Sequence, residues 1–180
     1  MQADSAGRTI REIYKGRVVD LRVERVTLPN GHELEIEIVR HPGAAAVVPI
    51  TADGDVILIR QYRHAAGGFI YEIPAGKLDK GEPPEKCADR ELTEEAGVVA
   101  GKTTRLGSIV TTPGFTDEVI HLFLAEDLRP AKTSHEPDEV ITTLRRPLHT
   151  CLDMVARGEI IDGKSICALF LADRMIRERG

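Results

Sequence analysis

The chain has 180 residues, 42% hydrophobic and 29% charged, with a formal net charge of −5. This composition is normal for a soluble globular protein, and the length suits one domain, or one with a small appendage, with room for a good core. The acidic balance argues against nonspecific nucleic-acid binding, since no basic patch compensates, and no apolar run reaches the ~18–20 residues that span a bilayer. Residues 1–12 read as a flexible or pairing arm without an apolar leader core. From Val18 to Val39 the pattern is strand: Val19, Leu21 and Val23 alternate, then Leu34, Ile36 and Ile38 alternate against Glu33, Glu35 and Glu37. Pro29-Asn30-Gly31 between them reads as a hairpin turn. A lone hairpin is marginal in water, so this one needs a surface to pack on. Ala44 to Ile50 is apolar enough for a central strand, with Asp53-Gly54 as the next turn and Val56–Tyr62 pairing back. Phe69–Pro74 reads as a short strand, and Ala75-Gly76 opens a loop.

After a helix, described next, Arg105–Thr112 and Val119–Ala125 read as strands around a Pro113-Gly114 turn, and Glu139–Leu144 as another. Pro147 opens a helix to about Arg157, ended by Gly158. Lys164–Arg177 is a closing helix with Ile166, Leu169, Phe170 and Met175 roughly on one face. The three cysteines, Cys87, Cys151 and Cys167, form no C-x-x-C, and the six histidines form no H-E-x-x-H. A reducing cytoplasm is the simpler setting.

The most informative stretch is Gly76 to Val98, GKLDKGEPPEKCADRELTEEAGV. Pro83 and Pro84 suit a helix's first turn, where a missing N–H costs nothing. Gly97 suits its end, because glycine takes the left-handed C′ conformation freely. The helix places Glu91 and Glu95 at i and i+4 with Glu94 beside them, and makes Ala88, Leu92 and Ala96 the buried stripe. Like charges at i, i+4 destabilise a bare helix by ~0.2–0.5 kcal/mol per pair. A solvated acidic face would interleave Glu with Lys at i+4, yet only Lys86 and Arg90 are available. Carboxylates tied to one face ask for a cation, and hard oxygen ligands favour Mg²⁺ or Mn²⁺. Cations on Glu91 and Glu95 would neutralise an anionic substrate and lower the pKa of bound water. The carbonyl of Ala75 is a suitable further ligand, and Glu94 completes the set directly or through water. Arg90, at i, i+4 from Glu94, is placed to hold that carboxylate. Glu82 either binds metal or orients Arg90, and Arg63 either contacts a phosphate or is a surface cation.

The spacing of Gly76, Glu82, Arg90-Glu91, Glu94-Glu95 and Gly97 resembles the Nudix box at every defining position. Seven such residues coincide by chance about once in 10⁸ windows. The resemblance is to the Nudix hydrolase superfamily. It implies an α+β fold: an α/β/α sandwich with a mixed sheet (residues 44–180), preceded by a small N-terminal antiparallel β region (residues 1–43). Arg60-Gln61-Tyr62-Arg63, then Glu72-Ile73-Pro74-Ala75-Gly76, and Pro113 fifteen residues after the box look like the ADP-ribose pyrophosphatase branch. That resemblance spans roughly residues 15 to 178. It implies Mg²⁺-dependent cleavage of ADP-ribose to AMP and ribose 5-phosphate, with Gly76, Glu82, Arg90 and Gly97 structural in the motif. It adds Glu72, Gly114, Phe115 and Glu118 to Arg63 as substrate-binding residues; core packing is the other reading of Phe115.

The same branch implies a homodimer in which residues 15–40 contact the other subunit and wall its substrate site. It also implies an acid on a loop beyond the box, here Thr133–Glu139, with Glu139 favoured and Glu136 second. Where many relatives carry another acid in the following strand, this chain has Thr142 and Thr143. The close alternative is another nucleotide sugar or dinucleotide, such as GDP-mannose or FAD. A non-catalytic nucleotide-binding module would be expected to lose box carboxylates, which this chain keeps. No D-x-[DN]-x-[DN]-G loop supports calcium.

Overall fold

The computed structural model describes residues 2–3, 9–135, 137 and 139–179, and the chain divides into two compact units. The first comprises Met1–Gly43 and Val110–Val119. Its strands β1 (Gln2–Ala3), β2 (Thr9–Lys15), β3 (Asp20–Thr27) and β4 (Glu33–Arg40) form an antiparallel sheet in chain order. The β3–β4 register closes at Thr27 and Glu33 around the expected Pro29-Asn30-Gly31 turn, where Gly31 has φ 83°. Along β4, Leu34, Ile36 and Ile38 are half-buried while Glu33, Glu35 and Glu37 are exposed. The arm expected over residues 1–12 contains a pairing strand, β2; residues 1 and 4–8 lie outside those described. Arg40 ties this unit together by donating to the buried carboxylate of Glu24 and, at 2.8 Å, to Asp117.

The second unit comprises Ala44–Ile109 and Ile120–Gly180. Strand β5 (Ala44–Pro49) is buried throughout, as an apolar run without alternation requires. It lies parallel to β11 (Val119–Glu126) on one edge and antiparallel to β8 (Ala75–Lys77) on the other, with β10 (Lys102–Val110) outermost. A second sheet has the order β13 (Ile141–Pro147), β6 (Asp55–Arg63), β7 (Gly68–Glu72). A short pair, β9 (Val98–Val99) with β12 (Arg129–Pro130), follows the first helix.

The helices are α1 (Pro84–Ala96), α2 (Leu148–Ala156) and α3 (Gly163–Arg179). Alternate residues of β5 serve two cores. Ala44, Ala46 and Val48 pack with Cys151, Met154, Ala168 and Leu169 of α2 and α3; Ala45 and Val47 pack with Cys87, Ala88 and Leu92 of α1. Helices therefore cover both sides of the sheets, the arrangement of an α/β/α sandwich. No helix of the described residues is long and apolar enough to cross a membrane.

Three expectations need correction. Val56–Tyr62 does not pair back on β5 beyond one bridge, Ile50 to Val56. Both edges of β5 are taken by β11 and β8, so β6 starts the second sheet instead. Phe170 is off the buried stripe of α3 and 52% exposed. It follows Leu169 by one step, about 100° round the helix, whereas Ser165, Ala168, Leu169 and Ala172 form the buried face. Strand β13 begins at Ile141, which leaves Glu139 in the preceding loop.

Candidate active site

Helix α1 starts and stops where its prolines and glycine dictate. Pro83 is extended at the N-cap, Pro84 occupies the first turn, and Gly97 is left-handed (φ 66°) with its N–H donated to Thr93 O. The inward face carries Cys87, Ala88, Leu92 and Ala96, and on the same stripe Glu91 and Glu95. Two carboxylates are thus carried into the interior by the helix that buries its apolar side chains.

Their surroundings differ. Glu95 is 2% exposed and accepts the N–H of Ala75 at 2.9 Å. Burial pushes its pKa up to about 8, and the charges of Glu91 and Glu139 push the same way; the Ala75 N–H and Arg63 oppose them. Glu91 is also raised, first by burial and then by Glu94 and Glu139, against the pull of Arg90.

Arg90 is fully engaged. Its guanidinium forks onto Glu82 (Nε to Oε1 and Nη2 to Oε2, both 3.0 Å), and reaches Glu91 at 2.6 Å, Glu94 at 3.1 Å and the Lys77 carbonyl at 3.1 Å. The Glu82 carboxyl is held down at about 2, chiefly by Arg90. Both oxygens of Glu82 thus accept from Arg90, as the orienting reading of Glu82 expects. The Cys87 thiol nearby is pushed up to about 12 by burial, so it stays protonated.

Gly76 explains itself by contact. A Cβ there would lie 1.8 Å from Glu91 Oε1, so the missing side chain makes room for the carboxylate. Gly76→Ala is therefore expected to fold almost normally, because a carboxylate end swings away cheaply, but with Glu91 displaced. The check is thermal melting beside turnover: kcat should fall at least about tenfold while Tm moves little. Equal losses in both would mean the glycine serves packing.

Arg63 donates to Glu72 at 2.9 Å and is 41% exposed on its side chain. Glu72, 3% exposed, also accepts Lys164 Nζ at 2.7 Å, and Lys164 reaches Asp162 at 3.0 Å. Glu139 is half-buried and close enough to act on Glu91 and Glu95. The loop before it is tied to α1, with Ser134 N–H donated to Glu94 O at 3.0 Å and His135 Nε2 3.3 Å from Glu95 O. Glu136 lies outside the described residues. The second unit therefore brings together Ala75, Gly76, Glu82, Arg90, Glu91, Glu94, Glu95, Arg63, Glu72 and Glu139. Gly114, Phe115 and Glu118 belong to the first unit. There Phe115 is exposed, its carbonyl accepts Val39 N–H, and Glu118 accepts from Thr111 Oγ1 at 2.7 Å.

A sequence model of the NUDIX domain matches residues 39–167. The chain belongs to the NUDIX domain family. It is similar to an ADP-ribose pyrophosphatase of Bacillus subtilis (strain 168), 44% identical over 88% of this chain and 86% of that one. It is also similar to a methanol dehydrogenase activator of Bacillus methanolicus, 42% identical over the same shares. Its fold is shared with a crystal structure of an ADP compounds hydrolase, at TM-score 0.83 and 24% identity, covering 96% of this chain and 94% of that one.

Sequence reasoning missed the residues that α3 sends into this Nudix domain. Asp162 caps α3 by accepting Ser165 N–H at 3.0 Å. Ser165 Oγ, fully buried, donates to Asp162 and accepts Ile73 N–H at 2.9 Å. Lys164 and Ser165 thus grip the strand that leads into Ala75-Gly76. The available signal was the helix-opening Asp162-Gly163-Lys164-Ser165. Among the described residues, no three carboxylate, imidazole or thiol groups form a metal cage on their own.

Proposed function

We propose that this Nudix protein hydrolyses the pyrophosphate bond of ADP-ribose to give AMP and ribose 5-phosphate, with Mg²⁺ as cofactor and Mn²⁺ as a substitute. The observation that carries the reading is the buried pair Glu91 and Glu95, both raised in proton affinity by burial first and then by neighbouring carboxylates, Glu94 and Glu139 on Glu91, and Glu91 and Glu139 on Glu95. Such a pair is stabilised by a cation, and its hard oxygens suit Mg²⁺. A donor set short of a full cage fits that ion, which keeps several waters and binds through one or two carboxylates plus substrate phosphates. When bound, it supplies charge neutralisation and an activated water.

Glu91 and Glu95 are the ligands in this reading, with the Ala75 carbonyl and Glu94 completing the set. Arg90, clamped by Glu82, fixes the helix carboxylates and does not touch substrate. Arg63 offers its exposed guanidinium edge to a phosphate while Glu72 holds Nε. Glu139 would take the proton of the attacking water in this reading. Substrate assignment is supported by the relative's name and by R-Q-Y-R and E-I-P-A-G flanking the box. Three free thiols, Cys87, Cys151 and Cys167, suit a cytoplasmic enzyme.

The test is a panel of ADP-ribose, GDP-mannose and FAD with Mg²⁺ and with EDTA, products identified chromatographically. AMP and ribose 5-phosphate should form fastest, and only with metal. Preferential GMP formation would move the substrate to nucleotide sugars of guanosine, and binding without turnover would make this a nucleotide-sensing module.

The assembly in this reading is a homodimer through residues 1–43. Ile13, Tyr14, Val18 and Val19 are exposed apolar side chains on the N-terminal sheet and its turn, a surface that a second copy would cover. Light scattering should return about twice the 19.8 kDa chain mass. A monomer at micromolar concentration overturns the dimer.

A further inference from the structure

Gln61 is 4% exposed, and among the described residues its Oε1 is the buried side-chain oxygen with no hydrogen-bond partner. It lies in β6 between Ile141 of β13 and Ile70 of β7. Side chains alternate along a strand, so Gln61 shares a face with Ile57, Ile59 and Arg63. Ile57 packs in the cluster with Cys87, Ala88 and Leu92, which turns this face toward the carboxylate helix. The other face carries Arg60 and Tyr62, both exposed.

The neighbours of Gln61 on its own face belong to the site. Arg63 follows it in β6. Glu72 stands opposite Ile59 in β7. Glu139 lies in the loop two residues before β13 begins at Ile141, next to Val140, whose carbonyl accepts the Tyr62 N–H. Arg63 and Glu139 both act on Glu95.

A buried carbonyl oxygen without a donor costs stability, and a methionine or leucine would fill this strand position without that cost. The oxygen is therefore kept for something the site receives. It is an acceptor, so its partner must bring a proton. Carboxylates that hold a cation have none to give, and Arg63 Nε is committed to Glu72. Water bound to a divalent cation is a strong donor, because the ion polarises its O–H bonds, and Mg²⁺ or Mn²⁺ retains several such waters. A neutral amide can hold one without adding charge to a site already rich in carboxylates.

We infer that Gln61 Oε1 accepts a hydrogen bond from a water in the hydration shell of the cation held by Glu91 and Glu95, making Gln61 a positioning residue for that water. The inference rests on the cation reading given above. The experiment compares wild type, Gln61→Met and Gln61→Glu. Each is titrated with MnCl₂ while free Mn²⁺ is counted by EPR, and each is melted in EDTA. In Gln61→Met the Mn²⁺ dissociation constant should rise about fivefold, while the Tm in EDTA rises by about 2–4 °C. Gln61→Glu keeps an acceptor oxygen at the same reach and should bind Mn²⁺ at least as tightly as wild type. Gln61→Met with wild-type Mn²⁺ affinity overturns the inference alone. A Gln61→Met that melts lower in EDTA, or fails to fold, also overturns it, since the amide then has a structural task. Wild type that binds no Mn²⁺ defeats the cation reading itself, and the inference with it.

Discussion

Glu95→Gln is expected to lower kcat by at least about a hundredfold while making the metal-free protein more stable at alkaline pH. Burial lifts the Glu95 carboxyl to about 8 from its ordinary 4.5. Between those values the folded chain keeps a proton that the unfolded chain has released. The folded state then binds more protons, so the stability of the metal-free protein falls as pH rises from about 4.5 to about 8 and levels off above. Glutamine cannot ionise, and most of this slope disappears in the variant. Glu91 is raised in the same direction and leaves a residue of it. A divalent cation replaces the proton, so Mg²⁺ at pH 8 should raise the wild-type Tm and leave the variant nearly unmoved. Melting curves in EDTA and in Mg²⁺ across this range give both answers. Near-normal Mg²⁺-dependent turnover in Glu95→Gln would sink the ligand role.

Glu139→Gln should lower kcat by about a hundredfold or more with KM little changed, the pattern of a group that acts mainly in the transition state. A second readout separates chemistry from packing. The Glu139 charge raises the proton affinity of Glu91 and Glu95; removing it should move the acidic limb of the pH–rate profile to lower pH. Glu136→Gln should do less. If Glu139→Gln keeps kcat within about twofold while Glu136→Gln abolishes it, the general base is Glu136. If neither variant matters, this loop has no part in the chemistry.

The sequence announces what is local. Two prolines and a glycine mark where α1 begins and ends, with Pro83 at the N-cap rather than in the first turn, and the alternation of β4 survives as half-buried and exposed positions. What it hides is pairing at long range. Nothing in Val56–Tyr62 says that both edges of β5 are already occupied, because those edges are filled from residues 75–77 and 120–125. The same limit hid the grouping of Val110–Val119 with the N-terminal sheet. Lys164 was invisible as a site residue because its partner Glu72 is ninety-two positions away. Gln61 was quoted within a motif and given no task, since only burial reveals an acceptor without a donor. Phe170 shows the opposite error: hydrophobicity suggested a stripe that the helix angle does not support.

The grip of Lys164 and Ser165 on Glu72 and Ile73 has a consequence for how the enzyme is born. Ribosomes make the chain from its N-terminus at ~5–20 residues per second, and folding follows as segments emerge. The box helix and the strand before it are complete long before the last helix exists. Until then Glu72 is held by Arg63 alone and the buried Ile73 N–H lacks its serine, and a buried polar group left without its partner costs ~1–3 kcal/mol. A nascent or prematurely ended chain therefore carries every box residue yet is poorly assembled around them. A chain that stops before this seventeen-residue helix is therefore expected to be idle rather than half-active.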